Sequence, residues 1–308
     1  MSVDLDFDPG QQALADAVSQ FCAQRWTEAD ARAPGPDFTR ARWSELAELG
    51  VLAVGSPGEE GGALEICAVM EALGRVAFPG PLVASFVAQQ VLPRDEATAL
   101  AQGQRIPALG EPPLIAWAGE ADLFLAWQGS TLRRAKPRGP VQTEAALGDE
   151  AWGRVELDLG EALPGAQRGL VVGELAQAAY LAAAGGRLVA AAAGHAASRR
   201  QFGRAIGEFQ AVAHPLADAH IRLEAARMLA RAAACSLDRK TADIALERSA
   251  LALGSATGAA LAAVAVSHQV FGAVGITLEG PIFPISRRIR SLASQNPGPA
   301  GNSRPRAG

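Results

Sequence analysis

The chain has 308 residues, 49% of them apolar, with 28 basic and 32 acidic side chains and a formal net charge of −4. A chain of this length can bury a sizeable core and is expected to divide into more than one domain. Its slightly acidic balance gives no general attraction to nucleic acid or to an anionic membrane, so we expect neither as a partner. The N-terminus is acidic where a signal peptide would be basic and then apolar, and no apolar run reaches the ~18 residues of a membrane span. These features predict a cytoplasmic protein.

Cysteine and histidine usage predicts neither disulfide bonds nor a metal site. The three cysteines are widely spaced and odd in number, so a reducing compartment is the natural interpretation. The histidines lack the clustering of metal ligands; they are His195, His214, His220 and His268.

The first third of the chain has helical periodicity from about Pro9 to Val91, with apolar residues such as Leu14 and Val18 recurring on one face. Proline and glycine interrupt this pattern in three places, which predicts three or four helices. The breaks lie at residues 34–36, 55–58 and 79–81. We therefore expect an N-terminal helical domain over residues 1–103.

The middle of the chain changes character. Short apolar runs at residues 114–118 and 123–127 are separated by glycine, proline and charged residues, which is typical of strands. The sequence predicts a small, reduced β-domain over residues 104–165.

The last part of the chain contains three long, alanine-rich segments with strong helix propensity, near residues 169–198, 209–236 and 241–271. Glycines inside them, such as Gly254 and Gly258, weaken local propensity and indicate close helix approach or a ligand contact. We expect a C-terminal four-helix bundle over residues 166–295. The Pro/Gly/Arg-rich segment 296–308 has the composition of a disordered tail.

The segment from Ser198 to Gln210 carries more chemistry than a turn between two helices requires. Arg199 offers a planar, permanently charged fork suited to phosphate, and glycine at positions 203 and 207 allows close backbone approach to a ligand. Phe202 adds a flat apolar surface. Gln210 opens the next helix, whose unsatisfied N–H groups favour an anion. In isolation, Arg199 would be interpreted as a solvated helix end near the negative pole of the helix dipole.

This segment resembles the R-x-x-F-G-x-x-I-x-x-F-Q signature of acyl-CoA dehydrogenases. The resemblance implies that Arg199, Phe202 and Gln210 bind the adenosine and pyrophosphate end of FAD across a subunit interface. Residues 269–281 are similar to the family's Q-x-x-G-G-x-G-x-x-x-E-x-P turn, with Ala273 in place of its second glycine. The second motif adds three expected FAD contacts, which are Gln269, Gly272 and Gly275.

The resemblance extends to both ends of the chain. The run from Asp8 to Gln12 is similar to the start of the family's N-terminal helical domain. The basic residues 287–290 are similar to the helix start that leads to the family's active site. The resemblance is weakest in the middle of the chain, where neither of the loops that hold the flavin ring in the family is present.

A catalytic base is missing from both places where the family has one. Removing a proton alpha to a thioester while hydride leaves the beta carbon needs a positioned carboxylate. One family position is filled here by Arg200, and the other, by spacing from Arg287, by Asn296. Neither side chain accepts a proton at neutral pH. The sequence therefore predicts no catalytic residue in this chain. The resemblance gives Glu279 a structural role, and Glu247 is interpreted as a helix surface charge.

The resemblance implies a mainly α, acyl-CoA dehydrogenase-like subunit that supplies part of the FAD site to a catalytic partner subunit. The expected assembly is an α2β2 heterotetramer acting on an acyl-CoA, with the CoA thioester of a steroid side chain as the substrate suggested by family analogy. An electron-transfer acceptor would reoxidise the flavin. Two alternatives remain open. One is a self-sufficient enzyme with a displaced base such as Glu279 or Glu247, and the other is a non-catalytic protein that retains only the fold.

Overall fold

The computed structural model of the chain describes residues 5–32, 38–58, 61–144, 146, 151–239, 241–278 and 280–299. Helices dominate these residues, and the predicted mainly α architecture is confirmed. An N-terminal group of helices packs on one side of a long helical bundle, and two small sheets lie between these parts in sequence. The N-terminal helices are α1 (Pro9–Arg25), α2 (Glu28–Arg32), α3 (Arg40–Glu48), α4 (Ala63–Arg75), α5 (Leu82–Val91) and α6 (Arg94–Ala101).

Helix starts in the N-terminal part are set by local capping. Asp8 forms a capping box at the start of α1. Its carboxylate accepts a hydrogen bond from the backbone N–H of Gln11 at 2.9 Å, and the side-chain oxygen of Gln11 accepts one from the backbone N–H of Asp8 at 3.1 Å. Pro9 occupies the first turn, where no N–H is required. Burial of Cys22 on this helix raises the pKa of its thiol to about 12, so that the thiol stays protonated.

The bundle consists of four helices, as predicted, and its three long members begin and end within a few residues of the predicted limits. A hairpin of two very short strands lies between the first two helices. The helices are α7 (Ala166–Ser198), α8 (Gln210–Asp238), α9 (Ala242–Phe271) and α10 (Phe283–Ser294).

Close contacts connect α4 to the bundle. A side chain at Gly74 would place its Cβ 2.5 Å from the Tyr180 carbonyl oxygen, so the absence of a side chain allows α4 and α7 to touch. The Tyr180 hydroxyl donates to the Phe78 carbonyl at 2.9 Å. At the N-terminus of α4, the Asp238 carboxylate accepts from the backbone amides of Ala63 and Leu64. Burial raises the pKa of the Asp238 carboxyl, while these two amides oppose that shift.

Both predicted strand runs form strands, within two small sheets. The first sheet has the order β1-β3-β4-β7 and the second has the order β2-β6-β5. The Glu96 carboxylate of α6 accepts two hydrogen bonds from Arg134 of the first sheet, which lowers the pKa of Glu96. The strands are β1 (Pro107–Leu109), β2 (Leu114–Ala116), β3 (Leu123–Gln128), β4 (Thr131–Pro137), β5 (Gln142–Glu144), β6 (Trp152–Arg154) and β7 (Leu157–Ala162).

Two bundle helices are long and apolar enough to cross a membrane by length and composition alone, a test that core helices of globular proteins also pass. They differ in how far the rest of the chain covers them. In the most apolar stretch of α7, 78% of the residues are buried, against 44% in the stretch that contains α9. Ile244, Leu251 and Leu261 are exposed on α9. The structure therefore leaves one apolar face of α9 without a partner in the described part of the chain.

Candidate functional site

A short hairpin after α7 presents an aromatic ring to solvent. Its strands β8 (Arg200–Gln201) and β9 (Arg204–Ala205) pair in antiparallel register. Both residues at its tip have positive φ, 52° at Phe202 and 81° at Gly203, which is typical of a type I′ turn. Glycine adopts this conformation readily, whereas phenylalanine does so at a cost. Phe202 is nevertheless 92% exposed, so the strained backbone holds a large ring where nothing in the described chain covers it.

Two arginines belong to the same short segment of chain. Arg199 is the C-cap residue of α7, and its carbonyl accepts from the Ile206 amide at 2.8 Å. Its exposed guanidinium makes no hydrogen bond or ion pair among the described residues. The Arg204 guanidinium lies 4.0 Å from the centre of the Phe209 ring, and Phe209 in turn meets Phe202 edge to face at 6.2 Å. This end of the bundle thus offers a free Arg fork next to an exposed aromatic surface.

The N-terminus of α8 lies at the same end of the bundle. Gln210 is exposed in its first turn, and no side chain caps the first N–H groups. A helix of 29 residues has a substantial positive pole at such an end. The arrangement suits an anion.

The second sequence motif reaches this end through a contact that sequence reasoning missed. The imidazole of His195, in the last turn of α7, stacks on the ring of Phe271 at 4.4 Å. Phe271 is the last residue of α9, so the stack places the turn after α9 beside the hairpin. Gln269 and Gly272 are both exposed there, and Gly272 has a φ of 61°. No local sequence signal pairs His195 with Phe271, because the contact depends on how two long helices end.

Gly275 differs from the other five predicted cofactor residues. It is buried, and a Cβ at this position would lie 3.0 Å from the Phe271 Cβ and 3.3 Å from the His268 Nδ1. The immediate reason for a glycine here is therefore packing of the turn against α9. Arg199, Phe202, Gln210, Gln269 and Gly272 all have exposed side chains or backbone at one end of the bundle.

At the two positions where the resemblance implies a catalytic base, the side chains present make structural contacts instead. Arg200 lies in β8, and its guanidinium donates to the Gly203 carbonyl at 3.4 Å. The Asn296 side chain holds a turn, since it accepts from the Gly298 amide at 3.1 Å and donates to the Pro299 carbonyl at 3.3 Å. Glu247 is exposed on α9, and Glu279 lies outside the described residues.

A buried carboxylate that sequence reasoning missed lies on α7. Glu174 is fully buried and accepts a hydrogen bond from the Ser249 hydroxyl at 2.6 Å. A Cβ at Gly298 would lie 3.9 Å from its Oε1 atom. Its place in an apolar stretch of α7 gave no sequence signal of a site, since a lone glutamate on a long helix is usually a surface charge.

The helical parts and the β-domain meet at a narrow internal cavity of about 40 Å³. Its walls include Phe78, Trp117, Gln177 and Pro297, and a second cavity of about 170 Å³ lies on the other side of residues 294–298. Pockets that enclose small organic ligands measure about 300–1,000 Å³, so neither space accommodates an acyl chain in this conformation.

Comparison with known proteins defines the family. Residues 8–94 match the model of the acyl-CoA dehydrogenase N-terminal domain, and residues 163–295 match that of the C-terminal domain. The chain is 30% identical over 306 residues to the acyl-CoA dehydrogenase IpdE2 of Mycobacterium tuberculosis, with 92% of each chain covered. The chain therefore belongs to the acyl-CoA dehydrogenase family, a family of oxidoreductases.

Solved structures show the same fold at lower identity. The ChsE4-ChsE5 complex from Mycobacterium tuberculosis aligns with a TM-score of 0.77 at 23% identity and covers 96% of each chain. A variant of the Tcur3481-Tcur3483 steroid ACAD aligns with a TM-score of 0.78 at 21% identity and covers 92% of each chain. These alignments confirm the fold predicted from the sequence.

Proposed function

We propose that this chain is a subunit of an FAD-dependent acyl-CoA dehydrogenase and supplies the adenosine and pyrophosphate site to a catalytic partner subunit. One observation carries the proposal: Arg199, Phe202 and Gln210 lie at the same exposed end of the bundle as the turn after α9. The same chain has Arg200 and Asn296 at the two positions where the family has its catalytic base.

The residues at this end of the bundle fit the adenosine half of FAD. Arg199 would donate to the pyrophosphate, because its guanidinium is exposed and has no acidic partner in the described chain. The uncapped start of α8 adds backbone donors. Phe202 offers a flat surface to the adenine, and Gly272 allows close approach. The bound FAD would accept the hydride that leaves the acyl β carbon. PigA, which shares the fold at 18% identity, has been solved with FAD.

Uncovered apolar surface supports a heteromeric assembly. Leu251 is 56% exposed on α9 and Ile276 is 67% exposed just after it. A surface groove of about 1040 Å³ between α7 and α8 is lined by nine alanines together with charged side chains such as Arg187 and Glu224. Exposed apolar patches of this kind are typical of subunit interfaces. One solved relative in fold is a ChsE4-ChsE5 complex, and another is called a steroid ACAD. We infer an α2β2 complex, with the CoA thioester of a steroid side chain as its substrate and an external electron acceptor.

The cofactor role is tested by Arg199→Ala in the complex co-purified with its partner. Loss of a charge-assisted contact to the pyrophosphate should weaken FAD retention by about 2 kcal/mol, roughly a 30-fold rise in the dissociation constant. Arg200→Ala is the matched control and should change FAD retention far less. FAD released on dilution would be followed by its fluorescence. Equal FAD retention in the wild type and in the Arg199 variant would show that the hairpin is not part of the cofactor site.

The second candidate function, a self-sufficient enzyme with a displaced base, is favoured by one observation, the buried Glu174 carboxylate close to Gly298. Loss of a true general base lowers the rate by about 10²–10⁴-fold. We expect Glu174→Gln, and likewise Glu247→Gln at the displaced-base position considered from the sequence, to leave the rate of flavin reduction in the FAD-loaded complex within a few-fold of the wild type. Stopped-flow absorbance measures this rate. A drop of the size expected for a base, in a folded sample, would assign that base to this chain.

A further inference from the structure

The segment that follows α10 fills the crevice between the bundle and the β-domain. Residues 297–299 are buried, although their composition is that of a disordered tail. The expected disorder therefore does not hold for residues 296–299, while residues 300–308 lie outside the described part of the chain. The cavities of about 40 Å³ and about 170 Å³ share Gln295 and Asn296 in their walls, together with Leu109 and Ala116 of the β-domain, so this segment forms part of the partition between them.

Two side chains of the surrounding domains hold the segment in place. The indole Nε1 of Trp127, from β3, donates to the Pro297 carbonyl at 2.9 Å. The Gln177 amide, from α7, donates to the carbonyls of Leu292 and Gln295 at 2.8 and 3.0 Å. The segment is thus tied to both the β-domain and the bundle.

The surface of α7 is shaped to receive the segment. A Cβ at Gly173 would lie 2.7 Å from the Val87 Cγ2 of α5 and 2.9 Å from the Pro297 Cβ, so a larger residue there would press on both α5 and the proline. Conversely, a Cβ at Gly298 would lie 2.7 Å from the Leu170 Cδ1. Complementary small residues on both sides allow the backbone of residues 297–298 to lie directly on the helix.

The space beneath the segment has the character of a ligand site. Phe78, Leu82 and Trp117 form apolar walls, and the Arg288 guanidinium lies 5.4 Å from the centre of the Trp117 ring. Gln177 is 1% exposed, and its Oε1 atom has no hydrogen-bond partner in the described chain. This oxygen is an acceptor, so it would be satisfied by a ligand group that donates a hydrogen bond. Apolar walls beside a guanidinium suit an acyl chain whose carbonyl oxygen accepts a hydrogen bond.

We propose that residues 295–299 are an intramolecular plug that keeps acyl ligands out of this crevice. When the plug is in place, the two small cavities stay separate and the Gln177 amide is engaged by Leu292 and Gln295. When the plug is displaced, the cavities join and the Gln177 amide loses its bond to Gln295, while the Leu292 carbonyl of α10 still accepts from it. The inference rests on the proposed function, and it adds that the acyl group binds in the partner because this chain blocks its own crevice.

The test counts acyl-CoA equivalents bound by the complex co-purified with its partner, with octanoyl-CoA as the probe in calorimetry. A chain that ends at Ser294 lacks the plug, and a chain that ends at Pro299 is the matched control that keeps it. We expect the Ser294 form to bind one more equivalent per copy of this chain than the Pro299 form or the full-length chain. Equal stoichiometry in folded samples of both forms would overturn the plug.

A full-length variant keeps the test valid if the shortened chain fails to fold. Trp127→Phe removes the donor to Pro297 and leaves the crevice walls intact, so it should raise the open population and tighten the additional site by about tenfold relative to the wild type. No gain over the wild type would again contradict the plug. Binding of octanoyl-CoA requires no FAD, so the two experiments are independent. A failure to find the additional acyl-CoA site would not change the FAD retention measured for Arg199→Ala, and equal FAD retention in that variant would not change the acyl-CoA stoichiometry.

Discussion

Arg231→Met is expected to lower the free energy of unfolding by about 3–5 kcal/mol, because it leaves a buried carboxylate without its main partner. Arg231 and Glu71 are 3% and 2% exposed, and two hydrogen bonds of 2.8 Å join the guanidinium to the carboxylate. The guanidinium also donates to the Leu5 carbonyl and lies 3.5 Å from the centre of the Phe7 ring. One side chain therefore connects α8, α4 and the segment before α1.

Chemical denaturation of three variants measures this effect. Arg222→Met, on the exposed side of the same helix, is the matched control and should change stability by less than about 0.5 kcal/mol. Glu71→Leu combined with Arg231→Met should be less destabilised than Arg231→Met alone, since no buried charge is then left unpaired. A single Arg231 variant as stable as the Arg222 control would show that the pair contributes nothing to the fold.

The helical framework could be predicted because long alanine-rich stretches leave few alternatives. In α7, α8 and α9 the helix propensity is summed over about thirty residues, and the ends are marked by glycine or by a polar turn. The β-domain could be predicted only in part. Its strands β4, β5 and β6 lack continuous apolar runs, and they form because β3 and β2 offer edges to pair with. Such pairing depends on tertiary contacts that local patterns do not contain.

The sequence predicted which residues belong to the candidate site, but not how they are arranged in space. Local chemistry was enough to single out Arg199 and Phe202, since a turn seldom needs a free Arg fork and an exposed ring. The stack of His195 on Phe271 was missed, because it joins residues far apart in the chain. The packing of Pro297 on α7 was missed for a related reason. Its composition suggests disorder, whereas its place in the structure depends on contacts with Gly173 of α7 and Trp127 of β3, which lie far away in the chain.

The measurement that tests the central claim most directly is the flavin content and turnover of this chain alone and co-expressed with a longer homologue that has an intact catalytic glutamate. Native mass spectrometry with FAD absorbance gives the subunit composition and the FAD bound. We predict that the chain alone is poorly soluble or forms a flavin-poor homo-oligomer without turnover, because the exposed face of α9 lacks its partner. Co-expression should give an α2β2 complex that retains FAD and dehydrogenates acyl-CoA. A stable, fully FAD-loaded and active homotetramer of this chain alone would contradict the account.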